Sequence, residues 1–256
     1  MKYTLDTAPV LDAYKANCEC PLCKLKILSE DSYVESMLSS AYMEPDYRLR
    51  TNEIGFCKRH FELMYNRRNR LGVALMTHTH MQEVIKSVEE MLGSGELKKS
   101  GLFASLRKGG KGDAGADSLP QKIRARIDGC FICEQMGNSI DRYAYTIAQL
   151  YFSNAEFKAM FDNSKGFCLP HLALVLEMAE KTLSADQLKT FKHAVSNVEI
   201  PNLKRIEGEL EWFTLKFDYR NNDKPWGNSR DAVERSINKL MGATVGEEAE
   251  MPAHND

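Results

Sequence analysis

A pattern of three cysteines and one histidine occurs twice in this chain, and it limits the possible folds more than any other feature. In each copy a Cys-x-x-Cys pair is followed at a distance by Gly-Phe-Cys-x-x-His. Cys57 follows Cys23 by 34 positions, and Cys168 follows Cys133 by 35, so the spacing indicates an internal duplication. The candidate metal ligands are Cys20, Cys23, Cys57 and His60 in the first copy and Cys130, Cys133, Cys168 and His171 in the second.

These residue types predict two bound zinc ions. Thiolate sulfur and imidazole nitrogen are donors that zinc prefers, and a structural zinc site fills all four tetrahedral positions with protein atoms. We therefore expect each copy to hold one ion with its own four residues. Iron, as a mononuclear site or an iron–sulfur cluster, is the alternative occupant, although clusters more often take four cysteines.

The second ligand pair of each copy is predicted to open a helix. Cys57 and His60 are three residues apart, and residues at this spacing share one face of a helix, so both can reach one ion. We expect this helix to be fixed to the Cys-x-x-Cys turn that precedes it in the same copy. Gly55 and Gly166 stand just before the Phe-Cys motif, where glycine lets the backbone turn tightly.

The composition is that of a globular protein. The chain has 256 residues, of which 43% are hydrophobic, and its formal net charge is −2. A near-neutral chain lacks the basic surface that broad nucleic-acid binding needs, so a nucleic-acid partner is not expected. The sequence has neither a secretory signal nor a run of about 18 apolar residues, which predicts a cytoplasmic protein without membrane association.

Cysteine usage agrees with that location. Thiols stay reduced in the cytoplasm, so six paired cysteines are interpreted as metal ligands and not as disulfides. Cys18 has no counterpart in the second copy and is interpreted as a spare thiol, the alternative being a ligand that exchanges with Cys20 or Cys23. Thioredoxin-like dithiol chemistry is disfavoured because neither Cys-x-x-Cys pair lies in a βαβ pattern.

Helical periodicity predicts an all-α fold, with a duplicated helical metal-binding unit and a C-terminal helical extension. Pro45 is expected to end the helix that follows Cys23, leaving an irregular stretch up to Gly55. Pro201 is expected to break a helix capped near Ser184. The predicted segments are a first repeat at 1–92, a flexible linker or loop at 93–119, a second repeat at 120–200, and C-terminal helices and tail at 201–256.

No residue is predicted to be catalytic. The sequence contains no phosphate-binding loop, dinucleotide-binding glycine turn or serine-nucleophile motif. His78 is interpreted as a hydrogen-bonded core residue, whereas His80 is expected to face solvent or a cleft. The C-terminal aromatic residues are expected to cover the core, with the lining of a ligand cleft as the alternative. They are Trp212, Phe213, Phe217, Tyr219 and Trp226.

The two motifs, together with Phe217-Asp-Tyr-Arg-Asn221 and Pro225-Trp-Gly227 near the end, resemble a bacterial family described only as a domain of unknown function. That family occurs mostly in anaerobic Gram-positive bacteria, and the resemblance covers most of the chain apart from residues 93–119. The resemblance implies a bacterial cytoplasmic origin and no particular activity.

The first function hypothesis is a non-enzymatic zinc protein with two structural sites that binds a partner protein or a small ligand. The alternative is a metalloenzyme or redox protein of an anaerobic pathway that uses iron or an iron–sulfur cluster. A zinc ion with four protein ligands has no open position for water, which favours the structural role.

Overall fold

The computed structural model describes residues 4–93 and 118–251. Within these ranges the chain forms eleven α-helices, a few short 3-10 helices and no strand, so the predicted all-α fold is confirmed. Nearly all of the predicted linker at 93–119 lies outside the described residues. The helices are α1 (Thr7–Lys15), α2 (Pro21–Ser39), α3 (Pro45–Ile54), α4 (Lys58–Asn66), α5 (Arg70–Gly93), α6 (Leu119–Ile127), α7 (Phe131–Ser153), α8 (Ala155–Asp162), α9 (Leu169–Thr182), α10 (Ala185–Leu215) and α11 (Ala232–Met241).

The chain divides into two compact units, and each unit contains parts of both copies of the motif. Unit 1 consists of Met1–Asp31 and Met136–Asp256, and unit 2 consists of Ser32–Gln135. The limits of the units fall inside α2 and α7, so the units do not coincide with the predicted segments 1–92 and 120–200. Each unit therefore holds one ligand pair from each copy.

Unit 1 has a core of aromatic side chains from α7, α8 and α10. Phe161 lies at its centre, with its ring centroid 5.2 Å from that of Tyr151 and 5.6 Å from that of Phe191. Edge-on and tilted ring pairs of this kind add about 0.5–1.5 kcal/mol each to the effect of burial. Phe167 joins the same core at 6.1 Å from Phe161. Because Phe167 precedes Cys168, the core directly supports a predicted metal ligand.

Helix α10 continues through Pro201, so the predicted break is wrong. Its start is as expected, because the Ser184 hydroxyl accepts the Gln187 N–H at 3.4 Å. A proline inside a helix costs about 3 kcal/mol. Val198 and Ile206, on either side of the proline, are both buried in unit 1. Burying such side chains contributes about 1.5–3 kcal/mol each, so packing outweighs the local cost.

Unit 2 contains α3, where the sequence predicted an irregular stretch. Pro45 occupies the first turn of α3, a position in which the missing N–H of proline has no helical partner in any case. Helix α3 packs against α5. Between them, Arg48 donates to the Thr79 hydroxyl at 2.8 Å, and that hydroxyl donates to Asn52 Oδ1 at 2.6 Å. These bonds fix the end of α3 just before Gly55.

Candidate metal centres

The eight predicted ligands lie in two groups of four, but each group combines ligand pairs from different copies. The buried site, in unit 1, contains Cys20, Cys23, Cys168 and His171. The open site, in unit 2, contains Cys57, His60, Cys130 and Cys133. The expectation that each copy holds an ion with its own residues is therefore wrong. The spacing of a repeat identifies equivalent residues, but it carries no information about which equivalent pairs meet in space.

Each site is built from the N-termini of two helices. Cys20 directly precedes α2, and Cys168 is the N-cap of α9. Cys130 directly precedes α7, and Cys57 is the N-cap of α4. The second ligand of each pair follows three residues later, in the first turn and on the same face. The N–H groups and the dipole at a helix N-terminus favour thiolate over thiol, so the local backbone suits a cysteine ligand.

The donor atoms of the buried site stand at distances that suit one tetrahedral ion. Nδ1 of His171 lies 3.2–3.4 Å from the three sulfurs, and the sulfurs of Cys23 and Cys168 are 3.5 Å apart. Zn–S and Zn–N bonds of about 2.3 and 2.0 Å at the tetrahedral angle give separations of about 3.5 Å between sulfur and nitrogen and about 3.8 Å between sulfurs. The observed separations lie close to these values.

The open site has the same internal geometry. Nδ1 of His60 lies 3.1–3.4 Å from the three sulfurs, and the sulfurs of Cys57 and Cys133 are 3.8 Å apart. Its surroundings differ from those of the buried site, because Cys133 is exposed and Cys57 is partly exposed. Burial opposes ionisation of Cys130, but the contact with His60 lowers the pKa of its thiol to about 6.

A glycine with positive φ shapes each Gly-Phe-Cys turn. The φ angle is +68° at Gly55 and +79° at Gly166, a region that glycine adopts at little cost. A Cβ atom at Gly166 would overlap the carboxylate of Glu199, and one at Gly55 would overlap the ring of His80. The glycines therefore meet two requirements, the backbone conformation and the close approach of a polar side chain from a long helix.

Without a cation, the surroundings of the buried site favour protonated thiols over thiolates. Burial raises the pKa of the Cys20 thiol far above its ordinary value. Contact with Cys168 raises the pKa of Cys23 to about 12, and contact with Cys20 raises that of Cys168 to about 12. Burial lowers the pKa of His171 to about 4, which keeps the imidazole in the neutral form that binds metals. A divalent cation would supply the charge that turns these crowded thiols into thiolates.

Helix α11 covers the buried site, a role that the sequence analysis missed. Lys239 is 2% exposed, and its ammonium group donates to the carbonyls of Glu19 at 3.3 Å and Lys165 at 2.5 Å. These carbonyls precede the two ligand motifs of the site. Just after α11, the Ala243 N–H donates to the sulfur of Cys23 at 3.2 Å. Helical periodicity does not identify this lysine, because the apolar positions 233, 237, 240 and 241 of α11 are exposed, and the buried residues are Ala232, Ser236, Asn238 and Lys239.

Lys239 also forms a buried ion pair behind the Gly-Phe-Cys turn of unit 1. Its ammonium nitrogen lies 3.7 Å from the carboxylate of Glu199, which accepts the N–H of Phe167. Burial raises the pKa of the Glu199 carboxyl, and the charge of Lys239 only partly opposes that rise. The ion pair therefore connects α10 and α11 to the backbone next to Cys168.

Comparison with known proteins places the chain in a family. The family described as "Family of unknown function (DUF6062)" matches residues 1–247. The chain belongs to this family. The expected membership of an uncharacterised family is thereby confirmed, and neither a curated protein nor a solved structure matches the chain.

Other predicted residues of this DUF6062 protein lie outside both sites. His78 is exposed, so its predicted place in the core is wrong. His80 is half-buried, and its Nδ1 lies 2.8 Å from the carbonyl oxygen of Asn52. Cys18 belongs to neither group of ligands, and its sulfur lies 3.9 Å from the carbonyl oxygen of Ala13.

The C-terminal aromatic residues of this DUF6062 protein form a surface cluster. The ring of Phe213 lies 5.4 Å from that of Phe217 and 5.7 Å from that of Trp226. Phe217 is 75% exposed and Tyr219 is also exposed, so these two rings do not cover the core as expected. Within residues 4–93 and 118–251, no helix is long and apolar enough to cross a membrane.

Proposed function

We propose that this DUF6062 protein is a cytoplasmic bacterial protein that binds two zinc ions, one in the buried site and one in the open site, as structural centres. The observation that carries the proposal is the convergence, twice, of four soft donors from distant parts of the chain at separations suited to one tetrahedral ion. With four protein ligands, zinc has no open position for water, so each ion serves to join two helix N-termini.

Zinc is favoured over iron by the donor set and by the distances. An iron–sulfur cluster places several iron and sulfide atoms among its ligands, whereas the donors here all lie within 4.8 Å of one another in each site. Such closeness suits a single ion. A mononuclear iron centre in a redox protein is the remaining alternative, and visible absorption by the purified protein would support it.

The first test is elemental analysis of the full-length protein purified without added metal. We expect two zinc ions per chain, and a loss of helicity by far-ultraviolet circular dichroism when a strong chelator removes them, because structural zinc commonly contributes on the order of 10 kcal/mol to folding. Replacement by cobalt should give the d–d absorption of a tetrahedral thiolate site. A helical protein that contains no metal would contradict the proposal.

Paired cysteine variants test the grouping of the ligands. Cys20→Ser with Cys168→Ser removes two ligands from the buried site and leaves the open site complete, so about one zinc should remain after mild chelation. Cys20→Ser with Cys57→Ser removes one ligand from each site and should weaken both. If each copy held its own ion, the two results would be exchanged.

We further propose that the protein binds a partner protein or a small ligand. Unit 2 has a recess of about 550 Å³ between α4 and α5, within the size range of small-molecule sites. The guanidinium carbon of Arg70 lies 3.5 Å from the ring centroid of Tyr65 at this recess. Binding of an apolar fluorescent probe that Tyr65→Lys abolishes would support the recess as the site, and equal binding by both proteins would contradict it. The apolar lining includes Phe61, Tyr65, Val73 and Ala74.

A further inference from the structure

The two candidate sites have the same donors and nearly the same internal distances, but they differ in access to solvent. All four ligands of the buried site are buried, and Cys168 is 0% exposed. In the open site Cys130 and His60 are buried, Cys57 is partly exposed, and Cys133 is exposed. A reagent in solution therefore reaches a sulfur ligand in one site and not in the other.

The sulfur atoms also differ in their N–H partners. Cys23 in the buried site accepts the N–H of Ala243 at 3.2 Å, and Cys130 in the open site accepts the N–H of Cys133 at 3.5 Å. The sulfur of Cys133 lies 3.4 Å from Nδ1 of His60 and 3.8 Å from the sulfur of Cys57.

Coordination to a metal keeps a thiol deprotonated, and the thiolate is the reactive form of cysteine. A zinc ion in the open site would therefore hold Cys133 as an exposed thiolate. The sulfur of Cys57 lies 3.8 Å from that of Cys133, so a second thiolate is in position to react with whatever forms on the first.

From this geometry we infer that Cys133 is a modification site, a zinc-bound thiolate that reacts with small disulfides and then releases the zinc ion of the open site. This inference rests on the proposed zinc function and adds a substrate class to one of its two sites. The buried site remains unmodified and continues to stabilise unit 1.

The reaction balances as two thiol–disulfide exchanges. The Cys133 thiolate attacks one sulfur of a disulfide RSSR, forming Cys133–S–S–R and releasing one thiolate RS⁻. The Cys57 thiolate then attacks the Cys133 sulfur, forming a Cys57–Cys133 disulfide and releasing the second RS⁻. The two cysteines lose two electrons, which reduce RSSR to two thiolates. Because two of the four ligands are then oxidised, Zn²⁺ leaves the site.

The experiment uses full-length protein in a Cys18→Ser background, which removes the thiol that belongs to neither site. Zinc content is measured first. The disulfide 5,5′-dithiobis(2-nitrobenzoate) is then added, released thionitrobenzoate is followed by absorbance, and released zinc is followed with pyridylazoresorcinol. We expect a fast phase with two thionitrobenzoates and one zinc per chain, at least tenfold faster than release of the second zinc.

Peptide mass spectrometry with limiting reagent locates the first reaction. We expect the first label on Cys133 and, at completion of the fast phase, a disulfide between Cys57 and Cys133. Cys133→His replaces the reacting sulfur with an imidazole nitrogen and should abolish the fast phase. If Cys133→His binds less zinc, the location of the first label in the protein that retains Cys133 still tests whether Cys133 reacts first.

The outcomes separate the two proposals. Less than two zinc ions before the disulfide is added would contradict the proposed function, and this inference with it. Two zinc ions that leave at equal rates, or a first label on Cys20, Cys23 or Cys168, would contradict only the inference.

Discussion

Replacing Lys239 with methionine should destabilise unit 1 more than any single change on its surface. Methionine is similar in length, so the change in packing is small. The variant loses the two hydrogen bonds to the carbonyls of Glu19 and Lys165, and it leaves the Glu199 carboxyl without its ion-pair partner. The perturbation is therefore mainly electrostatic.

The expected magnitude follows from these contacts. Removing one partner of a buried ion pair costs about 3–5 kcal/mol. Burial already raises the pKa of Glu199, so that carboxyl can take up a proton after the change, which favours the lower end, about 3 kcal/mol. For a domain of this size, ~3 kcal/mol corresponds to a fall in Tm of ~6–12 °C.

Urea unfolding followed by tryptophan fluorescence measures this effect in unit 1 alone, because the chain has two tryptophans, Trp212 and Trp226, and both lie in unit 1. Lys204→Met, at an exposed position on α10, is the matched control and should change stability by less than about 0.5 kcal/mol. Zinc content is measured for each protein. If Lys239→Met unfolds within about 1 kcal/mol of the unsubstituted protein, the proposed electrostatic role is wrong.

Three further predictions concern unit 1. Gly166→Ala should lower the Tm, since φ is +79° and the new Cβ would overlap Glu199. The control Gly137→Ala, inside α7 with open space around it, should be neutral or stabilising by about 0.5–1 kcal/mol. A thermal scan in which Gly137→Ala is the less stable of the two would contradict the turn geometry. Glu199 has a raised pKa in the folded protein, so its stabilising effect is present below its unfolded pKa, near 4.5, and is lost as pH rises through the folded value. Glu199→Gln should therefore gain stability relative to the unsubstituted protein from pH 4.5 upward, and a constant difference across that range would refute the assignment. Cys18→Ser should leave zinc content at two and Tm within about 2 °C, and loss of a zinc ion would identify Cys18 as a ligand.

Much of the fold and the identity of the candidate ligands could be predicted from local sequence. Helical periodicity is a local property, and it predicted the all-α class correctly. The Cys-x-x-Cys and Cys-x-x-His pairs are also local, because each places two donors on the first turn of one helix. The glycine of each Gly-Phe-Cys turn was likewise predictable from its missing Cβ, since φ is positive at Gly55 and Gly166.

The remaining features depend on which distant segments meet, and no local rule supplies that information. The crossed pairing of Cys20 with Cys168 is such a feature, and so is the place of Lys239 behind the buried site. The prolines show the same dependence. Pro45 begins a helix because α3 can pack on α5. Pro201 lies within α10 because the burial of side chains before and after it outweighs the local cost of a proline inside a helix. The sequence alone shows that cost but not the burial.

The crossed pairing of ligands bears on how such a chain could have arisen. An ancestral protein with one copy of the motif would have carried one Cys-x-x-Cys pair and one Cys-x-x-His pair. These two pairs would not have met within one polypeptide, so each would have been half of a centre. Two such molecules, exchanging these pairs across a twofold axis, would have completed two centres together, as in a domain-swapped dimer. Joining the two genes would have turned an encounter that depends on concentration into an intramolecular one.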